Sequence, residues 1–441
     1  MRYFRLLLPL VVALVGLLGT QQFLVAISSE VTDSETAVSR PHDPIILAGS
    51  NFSAFANVLL DELVLYRYQA GQWQPIPFQI DEVDEAGNYV TEFNGRLGAN
   101  DELVFMNADS GAWADPDEWV SDIVALQHPR YLITITDPLT PDAVSWVYLY
   151  RSTTLPRSQD GAYVNWNNEM QQATAVSYTL AFDPDNFLGI ASLALNNQPQ
   201  TIIDRQKLRL EGSIFFQNFA YDEETILTSD FVDDARLTLP ITGPVRAIGS
   251  NDLQQAAFYG HQATLSLMLD IPSLVTVNHL RLSLDLANPT DSGLAPVTYY
   301  DDRLAAGVPV DGQPDTVPEQ PLAAWQQIDG SYGSFVSLLD LSVGSGQPGT
   351  YYLDDDTEDQ DDTGDGRSYG DAGFFITNPS GQLQLTQTIH FLSGQQGNQG
   401  DQLAQQAAHP LQTSNSLQFP PGGGPGTPTP ALYLPLIING N

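Results

Sequence analysis

Two short segments decide the fold of this 441-residue chain: Tyr131-Leu132-Ile133-Thr134-Ile135 and Trp146-Val147-Tyr148-Leu149-Tyr150. Both are rich in β-branched and aromatic residues and are bounded by Gly, Pro, Asn or Asp, as β-strands are. Comparable runs recur as far as Leu383–Leu392, and no stretch keeps a helical period beyond about ten residues. The sequence therefore predicts an all-β protein built from packed antiparallel sheets.

Turn-rich and low-complexity segments divide the chain. Residues 152–168 are the best internal boundary, which gives an N-terminal antiparallel β-sandwich at 45–152 and a larger β domain at 160–395. Residues 396–430 are rich in Gln, Gly and Pro, a composition that is typical of a linker. We thus expect two β domains followed by an extended segment.

A block of short motifs links the two predicted domains. Pro75-Ile76-Pro77-Phe78-Gln79-Ile80-Asp81-Glu82 and Asp101-Glu102-Leu103-Val104-Phe105 lie in the first, Asp204–Arg209 and Gly243-Pro244-Val245-Arg246 in the second. This arrangement resembles that of secreted bacterial all-β proteins, some of which occur near polysaccharide-degradation systems. The resemblance implies that the larger domain is a β-supersandwich similar to galactose-mutarotase and polysaccharide-lyase domains. It carries over no catalytic residue.

Composition excludes several classes of function. Sixteen basic and 53 acidic residues give a formal charge of −37, which repels nucleic acids and anionic membrane surfaces. The chain has no cysteine, so disulfides, thiolate catalysis and Cys-ligated metals are excluded. At 42% hydrophobic residues the chain can still bury a substantial core.

Both ends of the chain suggest export. Arg2 and Arg5 precede the apolar run Leu6–Leu18, as in a signal peptide, which we predict over residues 1–28; an uncleaved anchor is the alternative. Residues 29–44 form a polar linker. The Pro/Thr/Gly-rich spacer and the apolar residues 431–441 resemble the terminus of exported proteins in certain filamentous bacteria, which implies retention at the cell surface. The alternative is an edge strand that docks on the protein's own sheet.

A cationic stripe occurs at alternate positions of a predicted strand. Arg205, Lys207 and Arg209 would project from one face, and Lys207 is the only lysine of the chain. One hypothesis is a sheet face that binds a glycan or carboxylate ligand. The other is internal pairing with acids such as Asp230, Asp233 and Asp234, which would neutralise the repulsion between the three cations.

An acidic segment, residues 354–371, predicts a calcium site. Asp361-Asp362-Thr363-Gly364-Asp365-Gly366 approaches a calcium-loop pattern but lacks the glutamate at its twelfth position, so it is not an EF-hand. Carboxylate oxygens are the ligands that Ca²⁺ requires. The alternative is a disordered acidic surface loop. The expected ligands are Asp356, Asp359, Asp361, Thr363, Asp365 and Asp371.

Catalytic motifs are weak in this sequence. His261, with Tyr259 and Arg246, could supply the base and the enolate-stabilising cation of a polysaccharide lyase, but the favoured interpretation of His261 is a polar residue at the start of a strand. We therefore expect a secreted, cell-surface protein that binds an extracellular polysaccharide or envelope component, is stabilised by Ca²⁺ and has no catalytic activity. The alternatives are a lyase or hydrolase of a neutral or weakly charged polysaccharide, and a structural envelope or adhesion component.

Overall fold

Antiparallel strands dominate the computed structural model, which describes residues 37–90, 93–183, 189–215, 217–225, 235–315, 317 and 320–421. The predicted signal peptide, residues 29–36 of the linker that follows it, and the C-terminal tail lie outside the described residues. No helix within the described ranges is both long and apolar enough to cross a membrane. The predicted all-β, antiparallel sandwich architecture is confirmed.

Most strands of the first part of the chain follow one another closely. The strands are β1 (Pro44–Ala48), β2 (Leu63–Gln69), β3 (Gln72–Pro75), β4 (Gln79–Asp81), β5 (Glu102–Met106), β6 (Arg130–Asp137), β7 (Thr140–Arg151), β8 (Val164–Asn167), β9 (Gln172–Ala175), β10 (Tyr178–Phe182) and β11 (Ile190–Leu195). Long connections precede and follow β5. Short 3₁₀ helices lie between the strands, at Gly49–Phe55, Leu60–Glu62, Asn107–Asp109 and Ala125–Gln127.

The second part contains longer strands and one α-helix. The strands are β12 (Ile203–Ile214), β13 (Gln217–Asp222), β14 (Thr238–Thr242), β15 (Arg246–Ser250), β16 (Gln254–Tyr259), β17 (Gln262–Ile271), β18 (Val275–Leu286), β19 (Thr298–Asp301), β20 (Val308–Pro309), β21 (Gln320–Pro321), β22 (Trp325–Gly330), β23 (Gly333–Asp355), β24 (Ser368–Ser393) and β25 (Gln412–Gln418). Helix α1 spans Gly400–Ala408.

Two sheets form the first sandwich. Sheet 1 has the order β1–β5–β4, and sheet 2 has the order β25–β6–β7–β2–β3. Their facing sides share a core in which Phe52, Leu103, Phe105, Ile133 and Val147 are completely buried. The alternation that predicted β6 places Ile133 and Ile135 in this core.

The C-terminal segment belongs to the first sandwich. Residues 396–430 were expected to be a linker, but they contain α1 and β25, and β25 pairs with β6 over its full length, from Gln412 opposite Thr136 to Gln418 opposite Arg130. Backbone pairing at a sheet edge needs no apolar side chains, so the polar composition of this segment concealed a strand.

The second sandwich is larger. Sheet 3 (β11–β10–β9–β8) packs on sheet 4, whose central path runs β14–β15–β16–β17–β24–β23–β22–β19–β20, with β12, β13, β18 and β21 attached. Tyr178, Leu180, Phe258 and Phe391 lie in the shared core. Successive side chains of each strand point to opposite faces of sheet 4, so the face that packs on sheet 3 and the other face carry different residues.

A bend divides sheet 4 into two halves. Strand β24 pairs with β17 through residues 381–390 and with β18 through residues 372–377, while β23 follows it along the other side. At the bend, a Cβ on Gly344 would lie 2.7 Å from the Ser380 carbonyl oxygen, so only glycine permits this approach. Leucines from both halves share one hydrophobic cluster.

Candidate functional site

The cationic stripe lies on β12, which pairs with β13 on one side and β18 on the other. Arg205, Lys207 and Arg209 share one face, as predicted, while Leu208 faces the hydrophobic cluster of sheet 4. The position opposite Arg205 on β18 is Asp285, and the position opposite Arg209 is Arg281. The stripe therefore continues across the sheet as a polar face.

Lys207 is completely buried beneath this face. Its Nζ lies 2.8 Å from Asp285 Oδ2 and 2.6 Å from Asp362 Oδ2, and it donates a hydrogen bond to the Arg367 carbonyl oxygen at 2.9 Å. Burial acts to lower the pKa of Lys207, but the nearby Asp285 and Asp371 more than offset this, so the pKa is raised. Lys207 is a cation held by the protein's own carboxylates.

The two arginines of the stripe are also paired. Arg209 lies 2.8 Å from Glu223 and 2.5 Å from Asp362, and Arg205 lies 2.5 Å from Glu224. The acids expected as partners, Asp230, Asp233 and Asp234, lie outside the described residues. These contacts favour internal pairing of the stripe over direct ligand binding by all three side chains.

The acidic segment folds over the stripe. Asp362, which was not among the expected calcium ligands, bridges Lys207 and Arg209 with its two oxygens, and these contacts hold its pKa below the usual range against the effect of burial. The Thr363 hydroxyl accepts a hydrogen bond from Arg209 at 3.0 Å. The acidic segment and the cationic stripe therefore neutralise part of each other's charge.

The six expected calcium ligands do not come together as one cluster. Asp356, Asp359, Asp361 and Asp365 are exposed, whereas Thr363 and Asp371 are buried. Asp359 Oδ1 and Asp365 Oδ1 accept hydrogen bonds from backbone nitrogens two residues further on, which turns these carboxylates toward their own loop. Within the described part of the chain, a different group brings its carboxylate oxygens within 4.8 Å of one another: Asp204, Asp285 and Asp365.

Buried negative charge surrounds this acidic trio. Asp285 and Asp371 are both completely buried, on the neighbouring strands β18 and β24, and neither oxygen of Asp371 has a hydrogen bond. Burial, reinforced for Asp285 by the charge of Asp371, raises the pKa of both carboxyls. The charges that act against this rise are those of Arg281 and Lys207 for Asp371, and of Lys207 for Asp285.

The three weak catalytic candidates are not assembled at an accessible site. Arg246 is buried, and its guanidinium contacts Asp81 at 2.7 Å, Glu102 and the Tyr259 hydroxyl at 3.3 Å. Tyr259 is itself buried. His261 instead faces a different part of the molecule, where it stacks against His42.

A group of partly exposed side chains continues the polar face beyond the stripe; we call it the aromatic strip. Arg281 lies over the Tyr351 ring at 4.3 Å and donates a hydrogen bond to its hydroxyl at 2.7 Å. His279 stacks on Phe375 with 5.8 Å between ring centroids and 18° between ring planes. The alternation His279, Arg281, Ser283, Asp285 along β18 was the signal that could have revealed this face.

A cavity lies where the segment before β1, the end of β24 and α1 meet. Its volume is about 190 Å³, and His42, His261 and His390 line it with the residues Ser39, Arg40, Pro41, Asp43, Phe391, Leu392, Gln399, Gln402, Leu403 and Gln406. Since its walls come from segments far apart in the chain, only His261 had been singled out from the sequence.

Comparison with known protein families and with curated proteins found no match to this chain.

Proposed function

We propose that this chain is a secreted, cell-surface protein that binds extracellular carbohydrate or matrix polymer, is stabilised by Ca²⁺ and does not catalyse a reaction. The observation that supports binding is the aromatic strip, in which partly exposed rings and the Arg281 guanidinium lie together on one sheet face. Sugar rings present C–H groups to aromatic faces and hydroxyls to donors, so such a strip suits a glycan chain.

The electrostatics of the face favour a neutral glycan. Arg205, Lys207 and Arg209 are already paired with carboxylates, so the face has little uncompensated positive charge with which to attract a polyanion. The whole chain carries a formal charge of −37, which opposes the approach of anionic polymers.

Binding is a better proposal than turnover because of where the nearest acids lie. A glycoside hydrolase or lyase needs a carboxyl or base that touches its substrate. Asp285 and Asp371, the acids beneath the aromatic strip, are completely buried. Arg246 and Tyr259 are held in a buried ion-pair network. A purely structural envelope component is the remaining alternative, and it predicts no glycan binding.

Calcium is proposed at the acidic trio, Asp204, Asp285 and Asp365, rather than at the six residues expected from the sequence. Three carboxylates converge there beside the unpaired, buried Asp371. Asp365 comes from the acidic segment and Asp204 precedes the stripe, so an ion at this point would hold the segment against β12.

A glycan screen followed by calorimetry tests the proposed function. We expect a neutral polysaccharide to bind, with no release of reducing ends and no rise in absorbance at about 235 nm from unsaturated products. Tyr351→Ala and Arg281→Lys should each weaken binding about tenfold or more, since each removes stacking from the aromatic strip. Tyr221→Ala is the matched control, because Tyr221 is an exposed tyrosine outside the strip.

Three results would overturn the proposal. Product release from any polysaccharide would make the protein an enzyme. Binding that is equally weakened by Tyr221→Ala would place the ligand elsewhere. Failure of every neutral glycan to bind would favour the structural envelope component.

A further inference from the structure

Three of the six histidines of the chain line the cavity between the N-terminal segment and α1. His42 comes just before β1, His261 lies in the turn between β16 and β17, and His390 lies near the end of β24. The ring centroids of His42 and His261 are 3.8 Å apart. These residues are remote in sequence, so the fold has brought them together around one space.

The walls of the cavity are polar, and the charge of its arginine is already compensated. Arg40 lies 2.5 Å from Asp43 and 3.3 Å from Asp137, and its terminal nitrogens also donate hydrogen bonds to the carbonyl oxygens of His409 and Gln406. The α1 side of the cavity contributes the amide side chains of Gln399, Gln402 and Gln406. Amides and imidazoles supply both donors and acceptors without a net charge.

Two nitrogen atoms of cavity residues are buried without a hydrogen-bond partner: Nε2 of His390 and Nε of Arg40. Both atoms are buried behind the cavity surface, so neither is available to a bound molecule. A ligand in the cavity would meet the remaining polar groups of its lining, chiefly the glutamine amides.

The geometry argues against a metal ion. No three histidines in the described ranges bring ring nitrogens within 4.8 Å of one another, as a histidine metal site requires. The carboxylate of the lining, Asp43, is already paired with Arg40, so it has no free charge for a cation.

An anionic ligand fits no better. Burial lowers the pKa of His261 and of His390 to about 4 and also lowers that of His42, so the imidazoles are neutral at pH 7. The Arg40 guanidinium is already paired with Asp43 and Asp137, so it has no free charge for an anion. The lining therefore selects for an uncharged ligand with several hydroxyls or amides.

We propose that this cavity binds a single uncharged, hydroxyl-rich ring, such as one neutral sugar residue, through His261 and the glutamines of α1. The volume of about 190 Å³ suits this size, since a cavity of about 150 Å³ accommodates benzene. The site is separate from the aromatic strip and does not depend on it. The protein would thus hold a small sugar or chain end in addition to a polymer.

Titration of the intact protein with methyl glucoside, methyl mannoside and methyl galactoside, followed by saturation-transfer NMR and calorimetry, tests this proposal. Glucuronate serves as a charged probe of the same size. At pH 7.5 we expect at least one neutral glycoside to bind and glucuronate to bind about tenfold more weakly, a difference of about 1.4 kcal/mol. Gln402→Ala and His261→Phe should each weaken binding at least about fivefold.

Matched variants separate the cavity from the rest of the molecule. Gln405→Ala lies on the same helix outside the cavity, and His128→Phe removes a histidine elsewhere; both should leave glycoside binding unchanged. Gln402 is exposed, so Gln402→Ala should fold. Glycoside binding by Gln402→Ala therefore tests the cavity even if His261→Phe does not fold. The proposal fails if no glycoside binds at about 50 mM, if Gln402→Ala binds like Gln405→Ala, or if glucuronate binds best.

Discussion

Gln79 Oε1 accepts hydrogen bonds from the backbone nitrogens of Val245 and Arg246, each at 2.9 Å, although the two segments are more than 160 residues apart in the sequence. Gly243 permits this contact, because a Cβ there would lie 2.2 Å from the same oxygen. Asp81, two residues after Gln79, then binds the Arg246 guanidinium. Gln79 and Asp81 of the first sandwich therefore bind the Gly-Pro-Val-Arg motif of the second through hydrogen bonds and an ion pair.

Replacing Arg246 by methionine should strongly destabilise the protein. The change leaves Asp81, whose pKa burial already raises, without its cation in a buried position. Loss of one partner of a buried ion pair lowers the free energy of unfolding by about 3–5 kcal/mol. Urea unfolding measures this free energy. Arg96 is exposed, so the control Arg96→Met should change the free energy of unfolding by less than about 0.5 kcal/mol. Equal effects of the two variants would contradict the prediction.

Lys207→Met should destabilise the fold by about 3–5 kcal/mol at pH 7.5, because Asp285 and Asp371 would lose the cation between them. The loss should grow as the pH rises toward 9. The folded-state pKa of Asp285 is about 8, and Lys207 acts to lower it, so without Lys207 the folded protein keeps that proton to a higher pH. Above about pH 8 the wild type can ionise Asp285 beside Lys207, whereas the variant cannot without further cost.

Urea unfolding of Lys207→Met at the two pH values tests both parts of this prediction. Arg205→Met serves as the control, since Arg205 and its partner Glu224 are partly exposed and such pairs contribute less than about 1 kcal/mol. A loss that is the same at pH 7.5 and pH 9 would mean that the buried carboxyls do not determine the effect.

Calcium should raise the melting temperature of the protein relative to EDTA. Extracellular calcium modules have dissociation constants of about 10⁻⁴ to 10⁻³ M, and about 100 times that concentration stabilises a fold by about 2.7 kcal/mol. Asp365→Ala should abolish the shift because Asp365 belongs to the acidic trio, whereas Asp361→Ala should retain it. An identical melting temperature in EDTA and in CaCl₂ would contradict the proposed stabilisation by Ca²⁺.

Acid should destabilise the protein partly through His390. Its pKa is about 4 in the folded state, compared with 6.5 for an unperturbed histidine, so the unfolded chain binds a proton first as the pH falls below about 6.5. The positive charges that face it, His42 and Arg40, oppose its protonation in the fold. The free energy of unfolding should therefore fall by up to about 3 kcal/mol between pH 7 and pH 4 because of His390.

Urea midpoints measured from pH 7 to pH 4 for the wild type and for His390→Gln isolate this contribution. The difference in stability between the two proteins should narrow or reverse as the pH falls, because glutamine does not titrate. Parallel pH profiles would show that His390 does not contribute to acid sensitivity.

The strand pattern was visible in the sequence because each strand is a local property. Alternation and β-branched content predicted β6 and β7, and the same alternation placed Arg205, Lys207 and Arg209 on one face. β25 was not visible, because Gln412–Gln418 pairs through its backbone and its polar side chains show no apolar alternation.

The sites were less predictable, because they depend on contacts between distant segments. Lys207 and Asp362 are 155 positions apart, and no local pattern distinguishes Asp362 from its acidic neighbours as the partner. The calcium pattern treated residues 354–371 in isolation and therefore assigned ligands that face the loop's own backbone. The cavity was invisible for the same reason, since its histidines meet only in the folded chain.

The pairing of β25 with β6 has a consequence for how the protein is made. Ribosomes deliver the chain from its N-terminus, so β6 emerges long before its edge partner; Arg130 and Gln418, which bond through their side chains, are 288 positions apart. Until Gln412–Gln418 has been synthesised, the β6 side of sheet 2 lacks its edge strand, and unpaired edges of this kind can recruit other chains. The first sandwich can therefore complete sheet 2 only after the second sandwich has been translated.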